Sequence, residues 1–234
     1  MLHNLFLSLV NGLMTKVLFL IFAFASFSLG VDAQASTIVD DEDVQSWNDV
    51  QLNVPLSKKL DFFTKLTLRI GKDVSRLQDG RHSIGLAFKP ISALTISPFY
   101  WFIRARNASG FFRPESRFNI SATYRFPFKA FGLSHRSTYE HRLRTSGNSS
   151  RYRAMITFEK NLPKTVARDT KIFVSDEVFY DSVFSQFSRN RFSAGVARTI
   201  SKHLGFDVYY TRQNDGFSHP GDLNILWTAV RIRP

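Results

Sequence analysis

From Trp47 onward the chain alternates apolar and polar residues with a period of two, and this constrains its fold more than any other feature. Leu60, Phe62, Leu66, Leu68 and Ile70 share one parity, while Lys59, Asp61, Lys65, Thr67 and Arg69 share the other. Phe118, Ile120, Ala122, Tyr124 and Phe126 alternate in the same way with Arg117, Asn119, Ser121, Thr123 and Arg125. Around residues 151–159 and 204–211 the pattern repeats. Successive side chains of a strand point to opposite faces, so each run needs apolar surroundings on one side and polar surroundings on the other.

Eleven such runs can be counted, beginning near residues 46, 58, 77, 92, 115, 131, 149, 168, 187, 203 and 221. Each is long enough for a tilted membrane crossing, which takes about 9–11 residues. Single-chain bacterial barrels have even strand counts. The expectation is therefore an all-β, antiparallel up-and-down transmembrane β-barrel of about 12 strands, with about 10 as the alternative. Ser36 to Val44 is the candidate for an uncounted strand. A secreted β-sandwich or lipocalin-like barrel, apolar inside, has the same periodicity and stays open at this point. Tyr100, Tyr124, Phe126, Tyr139, Tyr180, Tyr210 and Trp227 share the apolar parity, several near strand ends, as interfacial girdles do. Gly85, Ala87, Gly195 and Ala197 on the opposite parity suit a crowded interior.

The N-terminus reads as an export signal. Val17 to Gly30 is an apolar or small-residue stretch after Lys16, too short for a comfortable membrane-spanning helix. Ala33-Gln34-Ala35 supplies the small-x-small pattern of a cleavage site, with an uncleaved anchor helix as the alternative. The expected organisation is a signal peptide over 1–35, an acidic segment over 36–45 carrying Asp40, Asp41, Glu42 and Asp43, and a barrel over 46–234. The expected location is the outer membrane of a Gram-negative bacterium.

No cysteine is present, so neither a disulfide framework nor a lipoprotein anchor is available. Hydrophobic content of 44% is ordinary for a soluble protein and a mean hydropathy of -0.14 is too low for a helical membrane protein, but both suit a barrel in which only alternate residues meet lipid. The net charge of +12 survives cleavage, because residues 1–35 contain one cation, Lys16, and one anion, Asp32. The expected partners are outer-membrane lipid, lipopolysaccharide and a small anionic solute. Nucleic acid would explain the charge, but an exported barrel does not ordinarily meet it.

Connections near Pro55, Pro90, Pro127 and Lys202 read as tight. Those at Gly71 to Gly80, Asn107 to Pro114, Thr145 to Ser149, Asp181 to Phe187 and Asn214 to Gly221 read as longer and polar, hence extracellular. The connection around Pro163 breaks the pattern by being long.

Several stretches resemble a bacterial family known as domain of unknown function 2490, regarded as outer-membrane barrels. They are Trp47, Lys59-Leu60 leading to Arg69, Tyr139-Glu140-His141-Arg142, Ser150-Arg151-Tyr152-Arg153, Phe187 to Phe192, Gly195 and Tyr209-Tyr210. The resemblance implies the fold and location and no particular activity. This chain departs from outer-membrane barrels in ending Arg231-Ile232-Arg233-Pro234, without a terminal aromatic residue.

Arginine spacing is the sharpest chemical signal. Arg142 and Arg144, Arg151 and Arg153, and Arg189 and Arg191 lie two apart, so each pair projects from one face. Arg69, Arg81 and Arg117 share that polar parity, and all nine fall toward the same ends of their strands. Lys58, Lys59, Lys89, Lys129, Lys160, Lys164 and Lys202 gather at the opposite rim. Planar guanidinium forks match carboxylate and phosphate, so the nine are candidate ligands for an anion. The competing reading is a structural ladder paired with Glu115, Glu140, Glu159, Glu177, Asp61 and Asp207. The acidic run at 40–43 is expected to neutralise part of the arginine cluster.

No enzyme is expected. Ser134, His135, Ser137 and His141 hold the residue types of a serine hydrolase in one neighbourhood, but with no nucleophile elbow and no acidic orienter. His82, His203 and His219 lack metal-ligand spacing, and the turn glycines form no phosphate loop, so no metal or cofactor is expected.

Overall fold

The computed structural model describes residues 42–107 and 109–234, so the expected signal peptide and residues 36–41 lie outside the described residues. The strands are β1 (Glu42–Pro55), β2 (Leu60–Gly71), β3 (Arg76–Ile91), β4 (Leu94–Arg106), β5 (Phe112–Phe126), β6 (Gly132–Arg144), β7 (Ser149–Asn161), β8 (Thr170–Asp181), β9 (Gln186–Thr199), β10 (Leu204–Asp215) and β11 (Asp222–Ile232). Each begins within four residues of the position expected from the alternation. Consecutive strands pair antiparallel, and β1 closes the barrel against β11.

The described strands number eleven, not 12 or 10. In an up-and-down meander with an odd count, the first and last strands run the same way. Closure must then be parallel, and the β1–β11 ladder is parallel from Glu42↔Asp222 to Leu52↔Ile232. A parallel ladder satisfies backbone groups almost as well as an antiparallel one, so the even-count habit of bacterial barrels does not bind this chain. The end of the Ser36 to Val44 candidate supplies the start of β1 instead of a separate strand. Glu42 to Gln45, expected to precede the barrel, are therefore wall residues.

Burial runs opposite to that of a soluble protein. Leu66, Phe102, Phe118, Ile120 and Leu226 stand more than half exposed on the outside of the wall. Inside are Asp49, Thr67, Arg117, Glu140, Arg151, Glu177 and Thr211, all buried. A lipocalin-like or sandwich domain would bury the first set and expose the second, so the apolar-inside architecture left open by periodicity is not the one formed. Of the seven expected girdle aromatics, Trp227 faces inward: it packs against Trp47 with ring centroids 4.8 Å apart. The inner face of β11 is itself apolar, with Leu223 and Ile225 buried, so alternation alone assigns the wrong side there.

The connections do not fall into a short set and a long set. One rim carries 56–59, 92–93, 127–131, 162–169 and 200–203; the other carries 72–75, 107–111, 145–148, 182–185 and 216–221. Polar residues expected in loops continue the ladders, with Arg76↔Gly71 and Arg113↔Ala105 in register. The first is called here the lysine rim and the second the arginine rim. Two glycines are demanded by close approach across the wall. A Cβ at Gly85 would run into Phe99 and Phe63, and one at Gly195 would run into Tyr209 and the Val208 carbonyl.

Candidate functional site: a charged lumen

The interior holds a cavity of about 1020 Å³ to which all eleven strands contribute. Its packing is uneven. Along β6, Thr138, Glu140 and Arg142 are buried while Ser134 and Arg136, nearer the lysine rim, are half-buried. On β7, Ser149 and Arg151 are buried, while Arg153, Met155 and Thr157 are half-buried. The same gradient recurs on β1, β5, β8 and β11 over most of their length. The lumen is thus tightly packed toward the arginine rim and roomier toward the lysine rim.

Eight of the nine expected arginines line this cavity: Arg69, Arg81, Arg117, Arg142, Arg151, Arg153, Arg189 and Arg191. Arg144 lies at the arginine rim, donating from Nη2 to Ser149 Oγ at 2.9 Å. Strand periodicity places them, because each sits on the inward parity of β2, β3, β5, β6, β7 or β9.

Four of them, Arg117, Arg142, Arg151 and Arg153, join Arg136 in one continuous ion-pair chain across β5 to β8. Glu177 holds Arg136 at 3.0 Å and Arg153 at 2.8 Å. Arg153 continues to Glu140 at 2.7 Å, and Glu140 to Arg117 at 3.3 Å. Glu115 joins Arg117 at 2.9 Å to Arg142 at 2.7 Å, and Asp181 joins Arg142 at 3.4 Å to Arg151 at 2.6 Å. Glu115, Glu140 and Glu177 are the expected partners. Glu159, Asp61 and Asp207 pair instead with Lys171, Lys89 and Arg231 near the lysine rim. The alternation did not single out Asp79, which takes Arg81 at 2.6 Å, Asp181, or Asp215, which takes Arg189. All three lie in stretches that read as loop by composition.

Two buried aromatic residues, also unassigned by alternation, organise the arginines. Arg69 lies with Cζ 3.3 Å from the ring centroid of its direct cross-strand partner Trp47. Arg151, Arg153, Arg189 and Arg191 all lie within 6 Å of the Phe179 ring. Arg191 touches both hubs, 4.9 Å from each. Cation–π contacts of this kind gain strength where water is excluded.

Charge balance in the lumen is not even. Fourteen Lys or Arg side chains line the cavity against seven Asp or Glu, and Asp181 and Asp215, which hold Arg142, Arg151 and Arg189, bring the carboxylates to nine. Arg191 makes no ion pair among the described residues; its Nε donates to Gln213 at 2.8 Å. The acidic run does not correct this within the described residues. Asp43 accepts from Gln45 at 2.7 Å and from the backbone of Lys72 and Asp73 at 3.0 and 2.8 Å. It thereby holds a turn in which Lys72, Asp73 and Val74 all have positive φ. Glu42 lies on the outer surface, paired with Arg212. Asp40 and Asp41 lie outside the described residues.

The serine–histidine neighbourhood divides across the wall. Ser134 faces inward. On the outside, Ser137 Oγ lies 3.0 Å from His135 Nε2 and 2.9 Å from Tyr152 Oη. His141 instead approaches Ser150, Nδ1 to Oγ 3.5 Å. No grouping of His, Asp or Glu able to hold a metal ion occurs among the described residues.

Fold and interior together define a closed up-and-down β-barrel with an apolar exterior and a cationic, ion-paired lumen. The chain belongs to the family described as protein of unknown function (DUF2490), whose model matches residues 44–224. Comparison with curated proteins gives no match. Among solved structures the chain is similar to a NanC porin, with 10% identity over 78% of this chain and 93% of that one, at a TM-score of 0.47. It is also similar to the anion-selective porin from Comamonas acidovorans, with 11% identity over 74% of this chain and 53% of that one, at a TM-score of 0.39.

Proposed function

We propose that this protein is a barrel of the Gram-negative outer membrane whose lumen takes up small anionic solutes from the lysine rim and narrows toward the arginine rim. The observation that carries this reading is the excess of cationic over anionic side chains along the cavity, fourteen against nine once Asp181 and Asp215 are included. A low-dielectric wall concentrates the resulting field, so anions are enriched inside and cations repelled. Lys171 and Arg231, paired with Glu159 and Asp207, carry the charged lining to the wider end. The apolar outer wall supports the membrane location. In this reading the protein binds or conducts and catalyses nothing.

The test is single-channel recording of the purified protein in a planar bilayer under a salt gradient. A reversal potential of anion-selective sign is expected, larger at low ionic strength, where screening is weaker. The same recording after deletion of residues 36–41 asks whether the acidic segment holds the resting lumen shut. Cation preference overturns the reading. A pore shut in both forms favours a second reading, a purely structural barrel, which the continuous buried ion-pair chain supports. Recovery of the protein as a soluble periplasmic monomer overturns the location.

A further inference from the structure

The ion-pair chain of β5 to β8 leaves out Arg69, Arg81, Arg189 and Arg191; Arg81 and Arg189 have Asp79 and Asp215, whereas Arg69 and Arg191 share an aromatic ring. Arg69 and Arg191 both rest against Trp47, with Cζ 3.3 and 4.9 Å from its ring centroid. Both are nine-tenths buried and both line the cavity. Arg69 Nε has no hydrogen-bond acceptor among the described residues, and the nearest carboxylate, Asp79, is 3.7 Å from its Nη1. Asp79 is already engaged by the fork of Arg81, with contacts of 2.7 and 2.6 Å. Arg191 faces Glu177 across the β8–β9 ladder, but that carboxylate is held by Arg136 and Arg153. The carboxylates nearest to both arginines are therefore already engaged.

Two like charges so deeply buried raise the free energy of the empty lumen, and an anion seated between them offsets it. Since both groups touch one ring, their separation cannot exceed the sum of the two ring distances. An oxyanion has oxygens enough to accept N–H donors from both forks. We infer that Arg69 and Arg191, held against Trp47, form a binding site for one small oxyanion, a carboxylate or a phosphate. The inference rests on the anion-facing reading of the lumen and names where within it the anion stops.

The experiment titrates sodium phosphate, and separately sodium acetate, into the purified protein in detergent while recording tryptophan fluorescence. Chloride at equal ionic strength is the control. A saturable change with either oxyanion, absent with chloride, is expected. Arg191→Gln is expected to weaken it at least tenfold, and Arg69→Gln likewise, with heat-modifiable gel migration checking that both variants fold. Trp47→Phe is expected to abolish the fluorescence change while calorimetry still detects binding. Equal affinity in the wild type and Arg191→Gln overturns the site, as does an identical response to chloride. Bilayer recording on the same preparation separates the two readings. Anion selectivity without saturable binding removes the site and keeps the pore; saturable binding without conductance removes the pore and keeps the site.

Discussion

Trp47 and Trp227 are direct partners across the parallel ladder of the barrel, their ring planes inclined at 71°. Tyr209 stacks on the far side of Trp227 at 5.1 Å, so the closing seam is packed from within by three aromatic rings. Replacing Trp227 with alanine removes the middle one. A loss of about 3 kcal/mol is expected, in the range for large-to-small changes at packed aromatics. A lower melting temperature, followed by tryptophan fluorescence, checks it.

Glu140 is almost fully buried and joins Arg117 to Arg153. Glu140→Gln keeps the shape and removes the charge, so Arg117 is left with Glu115 alone and Arg153 with Glu177 alone. Breaking a buried pair in this way costs about 3–5 kcal/mol. Urea unfolding in detergent should register that loss, and the anion preference of the open pore should rise.

Arg191 offers the contrast. Its replacement by glutamine discards a charge that has no ion pair, at the expense of two aromatic contacts worth about 1 kcal/mol together. Stability is expected within about 1 kcal/mol of the wild type, although Glu140 and Arg191 line the same lumen. Parallel urea curves for the Glu140 and Arg191 variants make the comparison.

Gly195→Ala is expected to prevent assembly, because the new methyl group would press on Tyr209 and backbone of the next strand. Gly147→Ala, in open space at φ +112°, is expected to assemble with a cost of about 1 kcal/mol from strained backbone. Heat-modifiable migration of the two variants distinguishes them.

Ser137 and His135 have the separation of a nucleophile and its base, yet among the described residues no carboxylate orients the other ring nitrogen of His135. Neither the wild type nor Ser137→Ala is expected to release fatty acid from phospholipid micelles. Release by the wild type that Ser137→Ala abolishes would make this an enzyme.

Period two located every strand, because a wall with two unlike sides imprints itself on each run of residues. It failed where that contrast fades. On β11 the inner face carries Leu223, Ile225 and Trp227, so the rule turned Trp227 outward. It also stopped short at the strand ends, where polar Asp79, Arg113 and Asp215 read as loop although their backbones join the ladders. The arginines were legible, since their spacing survives whatever surrounds them. Their partners were only half legible, because pairing depends on which strands become neighbours and in what register. The strand total was legible as well, and was set aside only for a parity habit that parallel closure does not obey.

An odd count of strands also makes the molecule polar end to end. β1 starts at one rim and β11 finishes at the other, so an epitope placed before Glu42 and another after Ile232 would emerge at opposite ends of the barrel and, in the proposed membrane setting, be reached from opposite sides. In an even barrel both would emerge together and leave its orientation ambiguous. Here, one intact cell and two tags suffice to tell which rim faces the world.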